Sequence, residues 1–173
     1  MTDTPKGGDQ FASKVDFFNE MLTVLGRRLD DTVGPEDAAG LVSIVAGEMG
    51  DALNEVLVEE NGGMRLTRAQ VARALVELKA RIGGNFRIED ESENGIVLSN
   101  TACPFGCRVN GVRALCMMTS GVFGRIAAEN LGYARVRLDK TLANGDGKCC
   151  VTVELGPDAE GDGPGIAYFG RTG

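Results

Sequence analysis

The sequence predicts a mixed domain, helical through its first half and built from hairpins and one further helix in its second. Three observations predict it. Apolar residues recur at helical spacing from Phe11 to Ile82. Beyond that point, short apolar alternations flank two turn sequences, SENG at 92–95 and ANGDGK at 143–148. The composition fits one soluble domain with a core of its own: 173 residues, 43% hydrophobic and 25% charged.

Residues 1–10 are polar and Gly-rich and read as a disordered start. Over 11–33, Phe11, Val15, Phe18, Leu22, Leu25 and Leu29 follow one another at spacings of 4, 3, 4, 3 and 4, an a/d heptad. Such a helix either docks on its own core or forms a seam with a second copy, and the expected assembly is a homodimer. Residues 34–173 read as one domain. Gly34-Pro35 breaks the first helix, and Pro35, Glu36 and Asp37 suit the first turn of the next. Ala38, Leu41, Val42, Val45, Met49, Ala52, Leu53 and Val56 form its stripe to about Glu60. Gly40, Gly47 and Gly50 interrupt that stripe, each at roughly 1 kcal/mol of helix propensity, which predicts close packing there. Asn61-Gly62-Gly63 ends it.

Thr67 with Gln70 is a capping box for a third helix, whose apolar face is Val71, Ala74, Leu75, Leu78 and Ile82. A hairpin follows around SENG. Val112 to Leu131 reads as a helix closed by Gly132. Val136 and Leu138 alternate with arginines in one strand, and Val151, Val153 and Leu155 alternate in its return. Residues 157–165 read as a flexible loop, and Ile166 to Phe169 as a last short strand.

The net charge of −7 argues against nucleic acid and anionic membrane as partners. No basic-then-apolar leader and no apolar run of membrane length occurs, so the expected location is cytoplasmic. Thiols there serve as ligands, catalysts or core residues rather than bridges, and five is an odd count for a disulfide framework. Histidine is absent, which excludes Ser-His-Asp and Cys-His catalysis within one chain and leaves sulfur and carboxylate as ligands for any transition metal.

Attention therefore falls on CPFGCRVNGVRALC, residues 103–116, and on the doublet in GDGKCC. Pro104 and Gly106 allow a bend that aims Cys103 and Cys107 inward. Cys116 lies within the predicted helix, close enough to its N-terminus for the dipole to lower its pKa. Adjacent strand residues face opposite ways, so one of Cys149 and Cys150 joins the others. Cys149 shares the parity of the apolar Val151, Val153 and Leu155. Cys103, Cys107, Cys116 and Cys149 then make a candidate set for zinc or an iron–sulfur cluster. The alternative is that they are small buried hydrophobes. NGDG, residues 144–147, is a turn, since the twelve-residue loop and closing Glu of a calcium site are missing. Gly111, Gly121 and Gly124 make no phosphate loop. The third helix and its hairpin, with Arg65, Arg68, Arg73, Lys79 and Arg81, could form a recognition helix and wing, but basic residues on an exposed helix face are ordinarily just solvated.

CPFG, then LC at 115–116, then a Gly-rich helix ending LGYARV, then GDGKC at 145–149, resembles the methanogen output domain of prokaryotic signalling proteins. That family is similar to vinyl-reductase-like small-ligand-binding domains and to the C-terminal half of the Suf-operon iron–sulfur repressors. The resemblance implies an α+β fold with N-terminal helices packed on an antiparallel sheet, and a ligand or metal pocket between the layers. It also favours Cys149 over Cys150. The repressors' cysteine in the strand before the last turn is missing, with Thr141 in that region, and so is their DNA-binding domain. The expected function is a sensory or regulatory domain that binds an unidentified small molecule, a cysteine-held metal or an iron–sulfur cluster and signals through a dimer. The alternative is a small thiol-dependent hydrolase or reductase; a non-enzymatic role is favoured.

Overall fold

The computed structural model describes residues 13–156 and 163–171. Phe11, the expected disordered start and most of the 157–165 loop lie outside them. Ser13 caps α1 (Lys14–Val33) by accepting from the Asp16 N–H. Gly34 follows at φ 87°, an angle that favours glycine, and Pro35 opens α2 (Pro35–Glu60). Thr67 and Gln70 complete the predicted capping box at the start of α3 (Arg68–Arg81). The SENG hairpin joins β1 (Arg87–Ser92) to β2 (Gly95–Asn100). Then come α4 (Met117–Leu131), β3 (Tyr133–Lys140), β4 (Cys149–Glu154) and β5 (Ile166–Phe169).

The strands form one antiparallel sheet in the order β1-β2-β4-β3-β5. α4 lies on β3, β4 and β5, α3 packs on β1 and α4, and α2 stacks on α4. The fold is α+β, with helices packed on an antiparallel sheet. Alternation sorts the strands' side chains. Ile96 and Leu98 of β2, Val136 of β3, and Val151 and Val153 of β4 join Phe123 and Ile126 of α4 in the main core. Between them, Arg137, Asp139, Thr152 and Glu154 form a polar network.

Three expectations are corrected by the packing. The helix expected from Val112 begins at Met117, after short 3-10 turns at Gly106–Val109 and Arg113–Cys116. Gly111, at φ 79°, donates its N–H to the Ala143 carbonyl, which ties this stretch to the β3–β4 turn instead of a helix. Of the three α2 glycines, only Gly50 is packed: a Cβ there would stand 2.7 Å from Cβ of Arg125, whereas Gly40 and Gly47 face open space. On α3, Ile82 falls at the C-cap and is exposed, while Lys79 is buried. The register explains this: Lys79 stands four and eight residues after Leu75 and Val71, on the same stripe.

α1 docks by a face about a quarter-turn from its heptad. Asn19, Thr23 and Gly26 point at the body. Asn19 donates its Nδ2 to the Pro104 carbonyl at 2.9 Å, and a Cβ on Gly26 would meet Val112 at 2.7 Å. Val15, Phe18, Leu22 and Leu25 are exposed, by 62%, 51%, 38% and 53%. Leu29 alone of the described heptad residues turns inward, onto Ala38, Val42 and Ala114. Docking of the heptad on its own core is therefore excluded for those four residues.

Candidate ligand site around Lys79 and the cysteines

CPFG makes the predicted bend. The Gly106 N–H donates to the Cys103 carbonyl at 2.8 Å, and Gly106 takes φ 62°. The bend lets the Phe105 N–H donate to the Cys103 sulfur. Cys116 forms the N-cap of α4, with Thr141 bonded to its side chain. Cys149 opens β4 opposite Asn100 and packs on the main core, and its sulfur accepts from the Leu142 N–H at 3.4 Å. Cys150 lies opposite Ser99, on the other face. The backbone of Cys107 belongs to the turn Gly106–Val109, but its side chain lies outside the described residues.

Cys103, Cys116 and Cys149 lie within electrostatic reach of one another and of the Lys79 ammonium. Lys79 is 8% exposed and donates to Thr119 Oγ1 at 2.8 Å. Its Nζ lies 5.4 Å from the ring centre of Phe123 and 5.9 Å from that of Phe86. Burial lowers its pKa from 10.5 to about 8, partly opposed by the three thiols. The acidic groups that reach it among the described residues are those thiols and no carboxylate.

Cys103 and Cys116 move the other way. Burial raises Cys103, and it raises Cys116 from 9.0 to about 12, with Cys149 and Cys103 adding to the rise. The dipole expected to depress Cys116 is worth about 0.3–1 kcal/mol, less than one pKa unit, and burial outweighs it. A thiol held so high is protonated at neutral pH and is a poor nucleophile. Among the described residues no group of three or more cysteine, aspartate or glutamate side chains is arranged to hold a metal ion. The described donors by themselves do not make the zinc or iron–sulfur centre that the spacing suggested; a four-thiolate set would have to include Cys107.

Cys116 also forms part of the wall of a surface cleft of about 260 Å³, together with Arg113, Met117, Leu138, Asp139, Lys140, Thr141, Asn144 and Asp146. Sequence reasoning had placed Lys79 among solvated charges and had not singled out Thr119, Phe86 or Phe123. The Val71–Leu75–Lys79 register was the available signal.

The sequence model of methanogen output domain 1 matches residues 21–154. No curated protein matches the sequence. Two solved structures share the fold. The phenol-responsive sensory domain of the transcription activator PoxR, with phenol, is 13% identical at a TM-score of 0.62, over 83% of this chain and 76% of that one. Trafficking protein particle complex subunit 3 from Naegleria fowleri, covalently bound to palmitic acid, is 14% identical at 0.56, over 82% and 96%. At these identities the likeness is one of fold. Among the described residues no helix is long and apolar enough to cross a membrane. With most of its length matched, the chain belongs to the methanogen output domain 1 family.

Proposed function

We propose that this domain is a sensory or regulatory module that takes a small ligand at the Lys79–cysteine site and passes the site's state to α1, through which two copies pair. One observation carries the reading: the cysteine segment is also the seat of α1. Asn19 bonds the Pro104 carbonyl, Arg27 bonds the Arg108 carbonyl, Glu20 pairs with the Arg108 guanidinium at 2.9 Å, and Gly26 packs on Val112 and Leu115. A shift of Cys103 or Cys116 on ligand binding therefore displaces groups that α1 rests on. The ligand-bound sensory domain of like fold supports the reading.

Two measurements test it. Cys149→Ser is expected to abolish ligand-induced change, and Cys150→Ser to leave it intact, because only Cys149 packs with the core. Hydrogen exchange across α1, with and without bound small molecule, is the readout; equal effects of both substitutions would reduce the cysteines to packing residues. Elemental analysis after anaerobic purification adds the metal content, which Cys149→Ser would also lower if the thiols hold one.

The exposed Phe18, Leu22 and Leu25 fit a seam with the same residues of a second copy, since an a/d stripe is self-complementary. Leu22→Asp is expected to turn the dimer into a monomer by light scattering, with circular dichroism unchanged because Leu22 is half-exposed in the single chain. A wild-type chain that is already monomeric would refute the seam.

A further inference from the structure

We infer that the ligand of this site is a small organic anion, bearing a carboxylate or phosphate group, held between Arg113, Lys140 and Lys79. The inference rests on the sensory reading above and names the ligand's chemical class. The cleft beside Cys116 is walled by two cations, Arg113 and Lys140, and by two carboxylates. Both of its carboxylates are engaged within the fold. Asp139 accepts from Arg137 and Thr152, and Asp146 accepts from the Thr141 N–H. Arg113 and Lys140 form no ion pair or side-chain hydrogen bond among the described residues.

Lys79 does not line the cleft but lies within electrostatic reach of the same sulfur. Its ammonium is buried against two aromatic rings with Thr119 as hydrogen-bond acceptor and no carboxylate among the charges that reach it. Buried charges in proteins are ordinarily paired. The thiols of Cys103 and Cys116, their pKa values raised by burial, supply no counter-charge, and a cation at this place would meet Lys79. An oxyanion entering past Cys116 completes the pairing instead. The cleft, at about 260 Å³, admits a molecule of only modest size.

The test uses benzoate and inorganic phosphate as probes and benzamide as the uncharged counterpart of benzoate, titrated calorimetrically into the full chain at low ionic strength. Benzoate or phosphate is expected to bind and benzamide not; which anion binds distinguishes a carboxylate from a phosphoryl ligand. Arg113→Gln with Lys140→Gln, both surface changes, is expected to weaken binding at least fivefold, and Lys79→Met to weaken it further. Benzamide binding as well as benzoate, unchanged affinity in the double variant, or no binding of either anion overturns the inference. Benzamide binding accompanied by altered exchange in α1 would overturn the anion class while leaving the sensory reading standing. If Lys79→Met fails to fold, the double variant still decides.

Discussion

Lys79→Met is expected to make the domain more stable at neutral pH. The lysine's pKa falls from 10.5 to about 8 on folding because burial disfavours its charged form. Below pH 8 the ammonium is charged in both states, and the folded state carries the whole penalty, about 3 kcal/mol from the size of the shift. Between pH 8 and 10.5 the folded state releases its proton first and the penalty fades. Methionine fills similar volume without the charge, and the partly exposed Thr119 can bond water instead. Urea unfolding of both proteins across this range should show the variant ahead by up to about 3 kcal/mol below pH 8, with the gap closing toward pH 10.5. Cys116 acts in the opposite sense. With its pKa raised from 9.0 to about 12, it withdraws stability from both proteins as the pH climbs above 9, and slightly more from the variant, because Lys79 lowers the pKa of Cys116. A variant no more stable than the wild type, or a gap that ignores pH, would mean that Lys79 is solvated. A stabilising loss of this kind is what a binding residue kept at the expense of the core predicts.

Phe123→Ala is expected to have the opposite and equally large effect. Phe123 is fully buried, packs edge-on against Phe86 at 5.4 Å and 71°, and lies under Lys79. Removing a buried phenyl ring costs about 3–5 kcal/mol in transfer and cavity terms. That is a large share of the roughly 5–15 kcal/mol that holds an ordinary domain together. Thermal unfolding should therefore shift down by many degrees, while Phe123→Leu, which refills most of the space, should lose under about 1.5 kcal/mol. A loss below 1 kcal/mol for the alanine variant, on the scale of a surface change, would mean that the layer between α4 and α3 is not close-packed.

Local chemistry made much of the fold legible. Pro35 after Gly34, Thr67 with Gln70, and SENG between two apolar runs each act through bonds within a few residues, and all three appear where the sequence placed them. The parity of Val151 and Val153 likewise put Cys149 on the inner face, because a strand's period of two leaves no third option. The site was legible in part. CPFG announced its turn through Pro104 and Gly106, but Lys79 was hidden by its type, since lysine is exposed unless the fold compels otherwise.

By itself, then, the sequence determined the helices and strands, most of their ends though not the start of α4, and the inward parity of Cys149. Tertiary structure decided which of two possible faces α1 buries. α1 carries an apolar stripe and a stripe of Asn19, Thr23 and Gly26, and hydrophobicity alone would bury the first. The body instead offers the Pro104 carbonyl and a surface at Val112 and Leu115 so close that only glycine fits, so the second stripe docks and the heptad is left outward. Close approach and a satisfied hydrogen bond are properties of the pair of surfaces, which is why neither could be read from one helix.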